Sequence, residues 1–142
     1  MAGIVYVALV LLGLIKGGII FTVIFAVILA LALFEFYRLT DRDTHSMSLN
    51  IFNSISGVVL FVLSSLTTYI SNNHIIIFAV FILYLILLLS ASIFSKSENN
   101  LKKSIYSVFG HAYITLPFII LLHLNDVNII ISLAIFVLIW VN

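Results

Sequence analysis

Long runs of apolar residues dominate the chain, and short polar segments separate them. The clearest run extends from Ile19 to Phe34 without a charged residue, and a charged and aromatic segment begins at Glu35. An apolar run with no polar face belongs in lipid or in a fully buried core, not on the surface of a soluble protein. The pattern therefore predicts a transmembrane helix that meets water near Glu35.

Further runs of the same kind predict further spans. They cover residues 1–15, 49–70, 75–94, 105–124 and 127–141. Residues 4–34 together are too long for one comfortable span, and Lys16-Gly17-Gly18 in their middle is a turn signal. We favour two short helices joined by a tight turn, with one long tilted helix as the alternative. The predicted fold class is all-α, a polytopic integral membrane helical bundle of about six transmembrane helices.

The third predicted span has one face of small and polar residues. They are Asn53, Ser56, Gly57, Ser64, Thr67 and Thr68. Such residues let membrane helices approach closely and form hydrogen bonds across the contact, so we favour a packing face over a substrate path. The fourth span is apolar apart from Tyr84 and is expected to face lipid over much of its surface. Pro117 predicts a kink near the middle of the fifth span.

Composition supports the membrane interpretation. Hydrophobic residues make up 64% of the chain and charged residues 8%, and the mean hydropathy is +1.36. Soluble domains carry about 25% charged residues, so this chain could not cover a soluble surface. The six basic residues are scattered and form no basic patch, which excludes nucleic-acid binding. The absence of cysteine excludes disulfides and thiolate metal sites.

Basic residues are unequally divided between the connections. Those after the second and fourth spans hold Arg38, Arg42, Lys96, Lys102 and Lys103. The connections on the opposite side hold only Lys16. Because cytoplasmic loops carry an excess of Lys and Arg, the first group is predicted to be cytoplasmic, and the Asn142 end then approaches the cytoplasmic face.

The end of the second span offers one candidate site. Glu35 and Arg38 lie on one helical face. One interpretation is an interfacial ion pair, with Tyr37 as an aromatic anchor at the membrane surface. The other is that Arg38 and Arg42 contact the phosphate of a lipid headgroup or a nucleotide.

His111 is the candidate inside the bilayer. An ionisable residue within a span is a functional-site hypothesis by default. We favour the simpler interpretation, a neutral histidine that is hydrogen-bonded to a neighbouring helix. The four histidines show no metal-ligand spacing, and the chain has no phosphate-binding glycine loop or nucleophile elbow.

Three segments together resemble a known family. They are Leu33-Phe34-Glu35-Phe36-Tyr37-Arg38-Leu39, Gly110-His111-Ala112-Tyr113-Ile114-Thr115-Leu116-Pro117 and Phe136-Val137-Leu138-Ile139-Trp140-Val141-Asn142. In order and spacing they resemble the N-terminal half of bacterial phosphatidate cytidylyltransferase, also called CDP-diacylglycerol synthase. The resemblance covers essentially the whole chain.

The resemblance implies an activity and a cofactor. Enzymes of this family convert CTP and phosphatidate to CDP-diacylglycerol and pyrophosphate with Mg²⁺, in phospholipid biosynthesis. Trp140 and Asn142 would be the W and N positions of the family's W-x-N-D motif. The residues that bind Mg²⁺ and the CTP phosphates are then expected beyond residue 142. No catalytic or metal-binding residue is therefore carried over to this chain. Glu35, Tyr37 and Arg38 match a family feature of uncertain role.

We accordingly expect residues 1–142 to be the transmembrane N-terminal region of a truncated cytidylyltransferase, inactive without its catalytic half. The expected location is the bacterial inner membrane, with phosphatidate and CTP as partners and a homodimer as a compatible assembly. Two alternatives stay open. One is a fragment of a CTP-dependent polyprenol-type lipid kinase. The other is a noncatalytic small membrane transporter or helper subunit, in which His111 and the polar face of the third span would line a path.

Overall fold

The computed structural model describes residues 2–40, 47–70, 75–94 and 98–141, and all of its regular elements are helices. In chain order these are α1 Ala2–Lys16, α2 Gly18–Thr40, α3 Met47–Ile70, α4 Ile75–Phe94, α5 Glu98–Gly110, a π-helical segment His111–Thr115, α6 Leu116–Val127 and α7 Ile129–Val141. The predicted all-α class is confirmed for these residues, which contain no β-strand.

A tight turn separates α1 from α2. Gly17 and Gly18 have φ angles of +61° and +54°, in the left-handed region that residues with a Cβ avoid. The Gly17 amide donates a hydrogen bond to the Gly13 carbonyl, which closes the end of α1. The α1 and α2 helices then pack against each other. The prediction of two helices is confirmed, and the alternative of one long helix is wrong.

The second helix, α2, forms the centre of the bundle. Its buried side chains recur every fourth residue, so they lie on one face: Phe21, Phe25, Leu29, Leu33 and Tyr37. This face packs mainly on α3 and also on α1, α5 and α6. The opposite face of α2 is apolar and exposed, for example at Ile19 and Leu31. An exposed apolar face of this kind suits contact with lipid.

Three of the described helical stretches are long and apolar enough to cross a membrane. They are Gly18–Thr40, Asn50–Tyr69 and Ser104–Val127. Gly3–Lys16 and Ile129–Val141 are shorter apolar helices. These lengths fit a membrane protein, whereas the total of about six spans stays a prediction.

The polar face of α3 packs inside the bundle. Asn53, Gly57, Ser64 and Thr67 are buried, and Ser56 is half-buried. The packing interpretation of this face is therefore confirmed. On α4, several aliphatic side chains such as Leu83 and Leu87 are exposed, while Tyr84 turns inward and is half-buried.

The long helix formed by α5 and α6 is interrupted by the π-helical segment. The Leu116 amide donates its hydrogen bond to the His111 carbonyl, one residue further back than in an α-helix. Pro117 follows directly, and a proline would clash with the carbonyl four residues earlier in a regular α-helix. The predicted disturbance near Pro117 thus takes the form of a wider turn, with the helix continuing on both sides.

Candidate functional site

Polar side chains from several helices meet at the C-terminal end of α2. We call this group the His111 cluster. It consists of Tyr37 of α2, Asn53 and Ser56 of α3, Tyr84 of α4, Ser107 of α5 and His111 of the π-helical segment. Since these residues are far apart in sequence, only the folded bundle brings them together.

The centre of the cluster is the contact between His111 and Tyr37. The Tyr37 hydroxyl lies 2.9 Å from His111 Nδ1 and donates a hydrogen bond of 3.0 Å to the Ser107 carbonyl oxygen. His111 Nδ1 lies 2.8 Å from the same carbonyl. His111 and Tyr37 are 1% and 2% exposed, so these bonds form away from the surface. The prediction that His111 bonds to a neighbouring helix is confirmed.

The α3 and α4 helices complete the surroundings of the imidazole. Ser56 Oγ lies 3.0 Å from His111 Nε2, and the Tyr84 ring centroid is 4.6 Å from that of the imidazole. Asn53 donates a hydrogen bond of 2.6 Å to Ser107 Oγ and accepts one from Tyr84. The α3 helix is thus tied to the α5–α6 helix by polar contacts, and α4 is joined to it by the ring contact and, through Asn53, to α3.

The hydrogen bonds select one form of the imidazole. The Ser107 carbonyl oxygen can only accept, and it has two lone pairs for the two donors that reach it. A proton on His111 Nδ1 satisfies this carbonyl. The Ser56 hydroxyl has one proton for two acceptors, His111 Nε2 at 3.0 Å and the Asn53 carbonyl oxygen at 2.8 Å, so the Ser107 carbonyl carries the assignment. We assign this tautomer from the network because hydrogens are placed by their partners.

Two glycines permit the close approach of the helices. A Cβ atom at Gly110 would lie 2.5 Å from the Tyr37 hydroxyl oxygen and 2.7 Å from Tyr37 Cζ, distances that non-bonded atoms do not adopt. The phenol ring therefore lies directly on the Gly110 backbone. A Cβ at Gly57 would overlap Leu33 and come within 2.8 Å of Thr115 Oγ1. Each glycine is required by the packing of one helix on another.

The candidate substrate-contact residues separate into two faces of α2. Arg38 donates to Glu35 Oε1 at 3.1 Å, which confirms the predicted ion pair, and their side chains are 64% and 53% exposed. Tyr37 lies on the other face and is buried, so its interpretation as an aromatic anchor at the membrane surface is wrong. Its hydroxyl found partners inside the bundle instead. Arg42 lies outside the described residues.

The third family-like segment, which contains the predicted lead-in to the metal-binding motif, begins in the second half of α7. Trp140 is 38% exposed, and its ring packs against Phe136 at a centroid distance of 5.7 Å. Asn142 lies outside the described residues. A short connection at Asn128 joins α6 to α7, and the two helices pack together. The α7 helix therefore runs back towards the end of the bundle that holds the His111 cluster.

No group of three or more His, Cys, Asp or Glu side chains that could hold a metal ion occurs within the described residues. Of the carboxylates whose side chains the structure describes, Glu35 is paired with Arg38, and Asp126 is exposed beyond His123 at the other end of α6. Mg²⁺ favours carboxylate oxygens in octahedral geometry. The described part of the chain does not fit a magnesium site.

A second polar group lies at the opposite end of the bundle. We call it the His123 cluster, and it consists of Thr22, Ser64, Ser65, Thr68 and His123. His123 is half-buried, and its ring nitrogens are 3.4 Å from Ser64 Oγ and 3.4 Å from Thr68 Oγ1. Phe25, Phe61 and Phe118 form part of the apolar layer between the two clusters.

The sequence identified several members of the His111 cluster without linking them. His111, Asn53 and Ser56 stood out as polar residues in apolar spans, and Tyr84 as the exception in α4. Ser107 was missed, although it precedes His111 by one helical turn, the spacing at which two side chains share a face. The pairing of Tyr37 with His111 had no signal in the sequence pattern.

Comparison with known families gives one result. A family model described as the cytidylyltransferase family matches residues 1–142, the full length of the chain given. Comparisons with curated proteins and with solved structures gave no significant match.

Proposed function

The chain belongs to the cytidylyltransferase family, the family of the phosphatidate cytidylyltransferases, and we propose that it is the membrane-embedded part of an enzyme that transfers CMP from CTP to phosphatidate. The products would be CDP-diacylglycerol and pyrophosphate. The observation that carries this proposal is the match of the family over residues 1–142. A nucleotidyltransferase function follows from the family, and the lipid acceptor is our inference.

The helices support a lipid as the acceptor. The described chain contains three helices long and apolar enough to span a bilayer. CTP is soluble in water and needs no membrane-embedded protein to reach it. An acceptor that is itself anchored in the bilayer explains why a cytidylyltransferase would carry such helices. Phosphatidate supplies both the anchor and a nucleophilic phosphate.

The reaction is a nucleotidyl transfer that balances without redox change. A phosphate oxygen of phosphatidate attacks the α-phosphorus of CTP. The bond from that phosphorus to the oxygen bridging to the β-phosphorus breaks, and pyrophosphate leaves with the electron pair. No described residue is assigned to this chemistry. For Mg²⁺ we retain the proposal that its ligands lie beyond residue 142, after the Trp140 and Asn142 lead-in.

Arg38 is the residue that we propose as a contact for substrate phosphate. Its guanidinium is exposed at the end of α2, where it is paired with Glu35 at 3.1 Å. A guanidinium can bind a phosphate through two parallel hydrogen bonds. Arg42, four positions further on, is proposed to add a second positive charge. Tyr37 is excluded from this contact because it is buried.

We propose a bacterial inner-membrane location with the α2–α3 connection and the Asn142 end in the cytoplasm. The support is the excess of basic residues in or beside the α2–α3 and α4–α5 connections over the single Lys16 opposite. They are Arg38, Arg42, Lys96, Lys102 and Lys103. The course of α7 is compatible with this orientation, since it returns to the end of the bundle that holds Arg38. CTP would then meet lipid phosphate at that end. The homodimer remains a prediction.

The position of a label in CTP tests the function and separates it from its rival. The complete gene product, in membranes containing phosphatidate and a polyprenol, is supplied with CTP labelled at either the α- or the γ-phosphorus. We expect α-label in the lipid fraction and γ-label in pyrophosphate. Transfer of γ-label to polyprenol would indicate the lipid kinase. No label in lipid from either substrate would indicate a noncatalytic membrane protein.

The isolated piece provides a second test. Purified residues 1–142 in the same membranes are expected to form no CDP-diacylglycerol, because the described residues contain no group of three or more side chains that could hold a metal ion. Label in the lipid above the no-enzyme background would contradict this.

The transporter alternative gains no support from the side chains. It required His111 and the polar face of α3 to line a path. His111 is 1% exposed and its ring nitrogens lie within hydrogen-bonding distance of Tyr37, Ser56 and Ser107. These groups are used for joining helices, so we do not propose transport.

A further inference from the structure

Two consecutive residues at the end of α2 have opposite environments. Tyr37 is 2% exposed and bonds to the α5–α6 helix, whereas the Arg38 side chain is 64% exposed and contacts Glu35. Successive residues of an α-helix are separated by about 100° around its axis. The direction of Tyr37 therefore fixes the direction in which Arg38 leaves the helix.

We propose that Tyr37 and His111 form a positioning pair, which holds the last turn of α2 so that Arg38 faces the phosphate of a membrane lipid. This inference rests on the proposed function of Arg38 as a phosphate contact. Tyr37 and His111 do not touch substrate in this proposal. They act through Arg38.

The first support is that Tyr37 is held from several directions. Its hydroxyl donates to the Ser107 carbonyl and lies 2.9 Å from His111 Nδ1, and its ring lies on the Gly110 backbone. Ser56 approaches the other nitrogen of the imidazole at 3.0 Å and so fixes the ring that Tyr37 meets. Tyr37 cannot rotate about the α2 axis without losing these contacts.

The second support is the position of the contact on α2. Tyr37 is the last buried residue of the α2 stripe, and the helix ends at Thr40. Helix ends lack part of their backbone hydrogen bonds and fray readily. The Thr40 hydroxyl donates to the Phe36 carbonyl of the same turn. This bond stabilises the turn but does not attach it to another helix. Phe36 of this turn stacks on Phe109 of α5 at a centroid distance of 6.3 Å, a contact between exposed or half-buried rings. Tyr37 adds the hydrogen bonds that join this turn to the α5–α6 helix, and it immediately precedes Arg38.

The arrangement has a consequence for binding rather than for turnover. A guanidinium that is held in one direction loses less conformational entropy when it binds a phosphate than one on a mobile turn. Loss of the positioning pair should therefore weaken the interaction with lipid phosphate. The chemical step at CTP should be unaffected once the lipid is bound.

The test measures KM for phosphatidate and kcat separately in the complete gene product. Tyr37→Phe removes the hydroxyl and keeps the ring. We expect KM for phosphatidate to rise about 3- to 10-fold, the factor that corresponds to a lost hydrogen bond. We expect kcat to stay within about twofold, since only binding is affected. A fall in kcat with unchanged KM would overturn the proposal.

A double-mutant cycle with Arg38 tests whether the pair acts through that residue. If it does, Tyr37→Phe should change KM in the wild-type background and have no further effect in an Arg38→Ala background. Fully additive effects would show that Tyr37 acts independently of Arg38 and would overturn the proposal. His123→Ala is the matched control, because this histidine lies at the other end of the bundle, and its KM should equal that of the wild type.

Conservative replacement of His111 separates positioning from general packing. The amide nitrogen of Asn matches the position of His Nδ1, and that of Gln matches Nε2. His111→Asn should retain the bond to the Ser107 carbonyl and keep KM near the wild-type value. His111→Gln should lose that bond and raise KM as Tyr37→Phe does. Equal effects of the two replacements would contradict a specific role of the Nδ1 side.

The outcome for the positioning pair is separable from that for the proposed function. If the wild-type protein transfers no CMP to phosphatidate, the proposed function fails. The same variants are then reconstituted in nanodiscs that contain phosphatidate, and their binding of this lipid is compared. Nanodiscs that contain diacylglycerol, which has no phosphate, are the neutral reference. Weaker phosphatidate binding that depends on Arg38 would support the positioning pair, and unchanged binding would overturn it.

Discussion

The two ends of the bundle contain similar polar residues but use them differently. Each cluster has one histidine from the α5–α6 helix, hydroxyl groups from α3 and a hydroxyl from α2. In the His111 cluster the histidine is 1% exposed and its polar contacts are 2.8–3.0 Å long. In the His123 cluster the histidine is half-buried, and its contacts to Ser64 and Thr68 are both 3.4 Å. The first histidine is therefore more deeply buried, and its contacts are shorter than these two.

The hydroxyl groups differ in part between the two ends. Near His123, Thr67 and Thr68 both donate to the Ser64 carbonyl of their own helix, and Thr22 donates to the Gly18 carbonyl. Near His111, the Tyr37 hydroxyl donates to a carbonyl of a different helix. A hydroxyl bonded within its own helix satisfies itself wherever that helix lies. A hydroxyl bonded across helices fixes one helix relative to another. At the His123 end, the hydroxyl groups of Thr22 and Ser65 also join α2 to α3. The His111 end is distinguished instead by the burial of its histidine and by the shorter polar contacts that this histidine makes.

The largest expected effect on stability comes from Gly110→Ala, which should remove the hydrogen bonds of Tyr37 at the His111 end. The added methyl would lie within 2.7 Å of Tyr37 Cζ, so the ring must leave its position and lose both of its polar contacts. Overpacking together with the lost hydrogen bonds should lower the free energy of unfolding by about 3 kcal/mol. Unfolding by steric trapping in detergent micelles would measure it.

The control for this change is Gly3→Ala, because no atom lies within 4 Å of a Cβ at Gly3. The double variant Gly110→Ala with Tyr37→Ala removes the ring that the methyl would meet. The double variant should lose much less free energy of unfolding than the two single variants lose together. Simple additivity would show that Gly110 and Tyr37 do not contact each other as described.

A comparison of His111→Ala with His123→Ala addresses the two histidines directly. His111→Ala opens a buried cavity and takes a donor from the Ser107 carbonyl. We expect it to lower the free energy of unfolding by about 2 kcal/mol. His123→Ala removes the 3.4 Å contacts to Ser64 and Thr68 at a half-buried site. We expect it to lower the free energy of unfolding by less than about 1 kcal/mol. Both are measured as shifts in thermal unfolding of the purified protein. Equal shifts would remove the distinction between the clusters.

The helices could be predicted well from the sequence, for a physical reason. An apolar run in lipid must satisfy its backbone internally, so it becomes a helix wherever it is long enough. Polar segments and glycines then set the ends, as at Gly17 and Gly18. The predicted bounds of the third and fourth spans agree with α3 and α4 within two residues. The π-helical segment was not predicted, because a hydrogen bond that reaches one residue further back than in an α-helix leaves no signature in hydropathy.

The site could be predicted only in part. His111 and the polar face of α3 were identified because a polar group in lipid needs a partner, whatever that partner is. The identity of the partner depends on helix rotation and on which helices are neighbours, which periodicity does not give. Tyr37 shows this clearly. Its place beside Glu35 and Arg38 suggested the membrane surface, yet four-residue spacing from Leu33 put it on the buried face. That spacing was the available signal.

A smaller effect separates two hydroxyl groups. Tyr37→Phe and Thr67→Val each remove one hydroxyl and largely keep the shape of the side chain. Tyr37 loses bonds to another helix, and we expect about 1 kcal/mol of destabilisation, within the range for hydrogen bonds between membrane helices. Thr67 loses one bond of 2.9 Å to the Ser64 carbonyl of its own helix, and we expect less than about 0.5 kcal/mol. The free energies of unfolding of the two variants, measured at matched protein concentration, test this difference. Equal values would contradict it.

The smallest expected effect on stability is that of Glu35→Gln, which probes the exposed face beside the buried pair. Glu35 and Arg38 are more than half exposed, so water screens their attraction and the change should cost at most about 0.5 kcal/mol. Its effect on substrate should nevertheless be measurable, because neutral Gln leaves the positive charge of Arg38 uncompensated. We expect KM for phosphatidate to fall, and to fall less at high ionic strength, where exposed charges are screened. Glu35→Gln in an Arg38→Ala background should leave KM unchanged. A rise in KM for the single variant would instead show that Glu35 holds Arg38 in the direction that binds phosphate, and the Tyr37–His111 pair would then share that role with the exposed face.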